Sequence, residues 1–176
     1  MSEKKPYRPT LPPKAGYIEI NGEYVKAISE PVIDVPKDIE GIRQHKLTEI
    51  STACHETIIA GVDVETSQGT EHFSLDIDDQ INISNNALQA QMDSPTLYHA
   101  DGEVCRMFAP LEMIAVATAA VTHKTYHTTY HNHLKQWVIR ETDIDTLNGI
   151  VYGADLPSDL AANMAVLLGQ GGDTNA

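Results

Sequence analysis

Residues 110–140 read PLEMIAVATAAVTHKTYHTTYHNHLKQWVIR, a stretch in which no glycine or proline follows Pro110. Proline is at ease at a first helical position, where its missing N–H would have no partner, and nothing after it interrupts the helix. The segment therefore predicts one helix to Arg140, about 45 Å long at 1.5 Å per residue. Met113, Val116, Ala120, His123, His127, Tyr130, Leu134 and Trp137 recur at alternating spacings of three and four, so they form one seam along it. A seam of this kind needs a cover, and the fold is decided by what supplies it.

Upstream, the pattern predicts a helix from about Asp38, an N-cap residue type, to Ala60, with Gly61 as its terminator. Ile39, Ile42, Leu47, Ile50, Cys54 and Ile58 give it a buried stripe. Val62–Thr66 and Thr70–Ile77 alternate apolar and polar residues around Ser67-Gln68-Gly69, which predicts a hairpin with Val62, Val64, Phe73, Leu75 and Ile77 inward. Asp78 or Asp79 is expected to cap a short helix through Ile81, Ala87 and Leu88 towards Met92. Thr96–Ala100 and Glu103–Phe108 flank Asp101-Gly102, a tight-turn pair and hence another hairpin. Asn21-Gly22 within YIEINGEYV predicts a further small hairpin at about 17–27. Beyond Asn148-Gly149 a short apolar piece leads through Leu156-Pro157 to a last helix at about 158–168.

The expected fold is α+β, with two or three small hairpins packed against one long helix and several shorter ones. Its parts are an extended proline- and lysine-rich arm (1–16), a small hairpin and linker (17–37), the main domain (38–168) and a flexible tail (169–176).

The net charge of −13 is unevenly spread. There is no Lys or Arg between Leu47 and Cys105, nor after Arg140, whereas Lys4, Lys5, Arg8 and Lys14 crowd the leader. An acidic body repels phosphate backbones, which argues against nucleic acid as a partner. The basic leader is suited to an acidic neighbour or simply to solvation. The longest mostly apolar run, Met113–Val121, falls far short of the roughly 20 residues a bilayer requires. Two cysteines, Cys54 and Cys105, and a leader without a charged-then-apolar pattern fit a protein made and kept in the cytoplasm until assembly.

The sharpest chemical feature is the ladder His123, His127, His131 and His133, because histidines four apart on a helix project to one side and can share a divalent metal. A catalytic zinc helix places a glutamate general base between its histidines, and here Lys124-Thr125-Tyr126 and Thr128-Thr129-Tyr130 intervene. The competing expectation is that His123 and His127 hydrogen-bond inside a packed helix interface. Asp76, Asp78 and Asp79 lack the sixth-position glycine and closing glutamate of a calcium loop, so strand-end and capping roles explain them. Cys54 and His55 diverge by roughly 100° on a helix, and Cys54 is expected to be a small buried residue. No catalytic residue, metal ligand or cofactor is assigned.

Ile42–Gly61 (IRQHKLTEISTACHETIIAG), together with Asp79–Asn82, the Tyr98–Gly102 turn and the helix bearing His123 and His133-Leu134, resembles an uncharacterised phage and prophage domain family. Its members occur in tail-fibre gene neighbourhoods. The resemblance covers about residues 40–140, and the stretch to about 168 is similar to an extension in relatives from Gram-positive hosts. It implies a structural or accessory component of a phage tail, in the tail-fibre or baseplate region, working through protein–protein contacts with other tail or fibre proteins. On that basis the chain resides in the host cytoplasm during assembly and in the virion tail afterwards. It is expected to be a homo-oligomer, with no enzymatic activity. Lys4, Lys5, Arg8 and Lys14 on the arm, and His123, His127, Tyr130, Leu134 and Trp137 on the seam, are the expected contact residues. The competing functions are a tail-fibre assembly chaperone absent from the mature particle and a metal-dependent enzyme built on the histidine ladder.

Overall fold

A computed structural model describes residues 17–20, 23–26 and 38–169. The chain divides into two units, with the boundary between Val35 and Pro36. In the first, β1 (Tyr17–Ile20) and β2 (Glu23–Lys26) form the expected antiparallel hairpin, with Tyr17 opposite Lys26 and Ile20 opposite Glu23. The arm with Lys4, Lys5, Arg8 and Lys14, the Asn21-Gly22 turn, the linker to 37 and the tail from 170 lie outside the described residues.

The second unit is mixed helix and strand. Asp38 accepts a hydrogen bond from the Gly41 amide (2.7 Å) and starts α1 (Ile39–Ile59), as its residue type predicts. The helix ends at Gly61, whose φ of +90° is costly for any residue with a side chain and whose missing Cβ lets the Phe73 carbonyl approach. β3 (Val62–Thr66) and β4 (Gly69–Phe73) pair antiparallel from Val62–Phe73 to Thr66–Gly69. α2 (Ile77–Ala90) follows, then the hairpin of β5 (Thr96–Tyr98) and β6 (Arg106–Phe108). α3 (Pro110–Arg140) runs 31 residues, as its sequence requires, and α4 (Ile144–Gly149) and α5 (Ser158–Leu167) follow it among the described residues.

The cover for α3 comes in two parts. Around its first three turns Met113, Val116 and Ala120 meet Val64, Phe73, Leu75, Ile83, Tyr98 and Phe108. Phe73 and Phe108 pack edge to face at 6.0 Å, and both hairpins thereby deliver an aromatic ring to the same core. Around its far end Tyr130, Leu134 and Val138 meet Ile42 and Ile50 of α1, Leu147 and Ile150 at α4, and Met164 of α5. Side chains such as Phe73, Phe108 and Leu134, all essentially inaccessible, each contribute about 1.5–3 kcal/mol by burial.

Polar groups tie the elements at both ends of α3. Glu112 accepts from the Ala109 amide, from the Ser67 amide and hydroxyl at the β3–β4 turn, and from the Arg106 guanidinium on β6. The Arg106 guanidinium also lies 3.6 Å above the Phe108 ring centroid. At the C-terminus, Arg43 of α1 donates to the carbonyls of Val138 (3.3 Å) and Glu141 (2.9 Å), supplying the cation and donors that a helix end lacks.

Three local expectations are corrected. Ile77 does not close the β4 strand inward: it is 70% exposed and is the first residue of α2. The cap of α2 is Asp76, which accepts from the Asp79 amide, in place of Asp78 or Asp79. This shift of the start turns Ile83 and Ala90 to the core and leaves Ile81, Leu88 and Met92 outside. The sequence pattern also missed α4, a helix of 6 residues capped by Asp143, which accepts from the Thr146 amide.

Candidate functional site

The middle of α3 carries polar residues where the two ends carry apolar ones, and of the expected contact residues His123, His127 and Tyr130 lie there. His123 and His127 lie one turn apart with ring centroids 4.4 Å apart. His123 Nε2 donates to the Thr57 carbonyl of α1 (3.0 Å). His127 Nδ1 pairs with the Tyr152 hydroxyl (2.9 Å), and its own carbonyl accepts from the Cys54 thiol (3.5 Å). The Tyr130 hydroxyl donates to Ala154 O (2.6 Å) and accepts from the Gly153 amide (3.0 Å), pinning the loop after α4 against α3. α1, α3 and this loop thus meet in one hydrogen-bonded set.

Burial favours the neutral forms of His127, Cys54, Tyr130 and Tyr152. Burial pushes the His127 pKa below its ordinary 6.5, and neighbouring His123 adds to the effect. Burial likewise pushes the Cys54 thiol up, so it remains a thiol at neutral pH and is a poor nucleophile. Tyr152 is raised first by burial and then by Cys54, and Tyr130 by burial. These are the properties of a satisfied polar seam, in which each buried group has a partner.

The other two rungs do not join it. His131 is half-buried, with its pKa lowered by burial and by Lys135. His133 is buried on another face, where Nδ1 donates to the Thr129 carbonyl and Nε2 pairs with the Asn163 side chain of α5, both at 2.8 Å. Among the described residues no three His, Cys, Asp or Glu side chains come together as a metal site. Asp76 serves as a helix cap, and Asp79 accepts from the Tyr98 hydroxyl (3.1 Å). Cys54 and Cys105 are both free thiols, the first buried and the second exposed.

Leu134, as a contact residue, needs a correction. Leu134 is fully buried in the chain's own core, and Trp137 is half-buried against it, with its indole N–H donating to Glu141 (3.3 Å). The far end of the seam is covered by α1, α4 and α5, which leaves Leu134 no surface for a second copy.

Several participants were missed. Tyr152 sits in a short apolar piece with no periodic signal, and its partnership with His127 depends on α4 turning the chain back. Glu112 had a readable signal, since a glutamate three residues after the N-cap is a common helix-start arrangement. Behind Tyr130 and Tyr152 lies a pocket of about 360 Å3, lined also by Tyr126, His127, Asp155 and Met164. A second groove, of about 380 Å3, separates α2 from α3.

The second unit is thus a small α+β domain organised on one long helix, whose polar mid-section is closed by its own neighbours. A family model described as a domain of unknown function (DUF4376) matches residues 41–152, and the chain belongs to that family. No curated protein and no solved structure matches it. The family match opens at the first turn of α1 and ends at Tyr152, the partner of His127, which leaves α5 outside it.

Proposed function

We propose that this chain is a structural or accessory component of a phage or phage-derived tail, in the tail-fibre or baseplate region, working through protein–protein contacts, first of all with a second copy of itself. The sequence resemblance through Ile42–Gly61 and Tyr98–Gly102 supports the setting. The observation that carries the mode of action is the groove between α2 and α3. It is lined by Ala87, Leu88, Ile114, Ala117, Thr118 and Val121 among other neutral residues, and Leu88 and Val121 are 60% and 63% exposed. Small residues let helices approach closely, and the exposed apolar pair offers burial on association.

A second copy is the occupant because of charge. Two chains of net charge −13 repel each other over most of their surfaces, whereas no ionisable side chain lines this groove. A self-complementary contact across it pairs α2 and α3 with their symmetry mates. The basic positions Lys4, Lys5, Arg8 and Lys14 suit contact with an acidic neighbour such as another tail protein. Among the described residues no helix is long and apolar enough to cross a membrane, which fits assembly in the host cytoplasm and residence in the tail.

Mass spectrometry of purified particles tests the assignment. Recovery in a fixed ratio to known tail proteins is the expected result. Abundance in infected cells with absence from particles would replace it with an assembly chaperone.

A further inference from the structure

The pocket beside the polar seam is lined by aromatic rings and one carboxylate, and the proposed tail role does not use it. Tyr126 and Tyr130 are parallel, their planes 4° apart and their centroids at 6.5 Å. Tyr152 stands at 85° to Tyr130, with centroids at 5.2 Å. The pocket is lined by these three rings together with His127, Asp155 and Met164. Its size, about 360 Å3, lies at the small end of the range of ligand pockets.

Two of its three tyrosine hydroxyls are already committed. The Tyr130 hydroxyl is held by Gly153 and Ala154, and the Tyr152 hydroxyl by His127. What remains for a ligand is the Tyr126 hydroxyl, the negative face of the rings, the soft thioether of Met164 and the charge of Asp155. Asp155 is exposed and, among the described residues, makes no ion pair. No Lys or Arg lines the pocket, and the chain carries none after Arg140. An anion would meet a carboxylate and no positive charge. A neutral apolar group would gain nothing from Asp155.

We propose that this pocket binds an organic cation of the alkylammonium class, its positive group held against Tyr126, Tyr130 and Tyr152 and neutralised by Asp155. Weakly hydrated quaternary ammonium groups are the best fit, because an aromatic cage attracts them through the ring quadrupoles without needing hydrogen bonds. The ammonium group belongs either to a free small molecule or to a methylated lysine of another chain. The site is independent of the groove between α2 and α3.

The test is a titration of the full chain with choline, followed by NMR at the Met164 methyl group and the tyrosine rings. Its control is 3,3-dimethylbutan-1-ol, which has the same shape with carbon in place of the charged nitrogen. Choline is expected to shift these signals saturably, and the alcohol to bind about tenfold more weakly or worse. Tyr126→Ala and Asp155→Asn should each weaken choline, while Tyr126→Phe, which keeps the ring, should not. Both positions are exposed, so these variants leave the core intact. A peptide bearing trimethyllysine is the second probe: tighter binding than choline assigns the site to a partner chain, and weaker binding to a free small molecule. Equal affinity for choline and the alcohol, unsaturable shifts, or shifts indifferent to Tyr126→Ala would each overturn the proposal.

Discussion

His127 Nδ1 lies 2.9 Å from the hydroxyl of Tyr152, which joins the middle of α3 to the loop after α4. The pair closes the polar gap between the two apolar ends of the α3 seam, with Cys54 of α1 donating to the carbonyl of the same histidine. Removing the hydroxyl leaves a partly buried imidazole nitrogen without its partner, at a cost of about 1–3 kcal/mol. Tyr152→Phe should therefore lower the melting temperature while preserving the circular dichroism spectrum. An unchanged melting temperature would mean that the pair is incidental.

Two histidines should titrate in opposite directions. His72 has an acceptor at each ring nitrogen, Asp63 at 2.6 Å and the Ala60 carbonyl at 2.7 Å, and both bonds are made only by the charged ring. Its pKa is raised above 6.5, chiefly by the Asp63 hydrogen bond, so its stabilisation is full below 6.5 and is lost as pH rises through the folded value. For His127 the folded pKa lies below 6.5 because of burial. Its neutral form is favoured, so stability is full above 6.5 and falls as pH drops through that value towards the folded one. NMR titration of the ring protons should place His72 above and His127 below a free histidine, and the reverse order would contradict the geometry.

Glu112 should matter most among the carboxylates. The Arg106 guanidinium and the Ser67 and Ala109 donors hold its pKa at about 2, against an ordinary 4.5. It therefore contributes stability above pH 4.5 that is lost as pH falls towards 2. Glu112→Gln should cost about 1–3 kcal/mol near neutral pH, and the difference from the parent should shrink in acid. A denaturant series across that pH range measures it. A constant difference would show that the charge is not what Arg106 and Ser67 need.

Much of this was legible in the residues themselves. Pro110 followed by thirty residues free of glycine and proline could only be a long helix, and Asp38 and Gly61 bracket α1 because capping is a local property. The alternation around Ser67-Gln68-Gly69 likewise carries its own hairpin. What failed was decided at a distance. Ile77 looked like the end of a strand, but Asp76 offers its carboxylate to the Asp79 amide and starts α2 there, which reassigns the whole inner face. Leu134 and Trp137 carried the right spacing for a buried seam, yet spacing does not say which chain does the burying. α4, short and preceded by Glu141-Thr-Asp, turns Leu147 and Ile150 onto them. His123 and His127 hydrogen-bond to Thr57 and Tyr152, which lie on other elements and left no mark in the local pattern.

Gly61 and Gly102 allow a matched comparison of backbone strain and close approach. Both have positive φ, +90° and +77°, but a Cβ on Gly61 would lie 2.1 Å from the Phe73 carbonyl oxygen, whereas on Gly102 it would meet nothing within 4 Å. Gly102→Ala should cost only the left-handed penalty, about 1–2 kcal/mol. Gly61→Ala adds the displacement of β4 and should cost clearly more, or abolish folding. Equal costs from chemical denaturation would disprove the close approach.

Sedimentation of the full chain tests most directly whether this protein works through the neutral face between α2 and α3. The parent should sediment as a specific oligomer. Leu88→Glu with Val121→Glu, which places charge on two exposed positions, should yield a folded monomer. Leu134→Ala should instead cost about 2–5 kcal/mol of stability without changing subunit number, since that residue belongs to the interior. A parent that stays monomeric at high concentration, or a charged variant that sediments like the parent, would contradict the account.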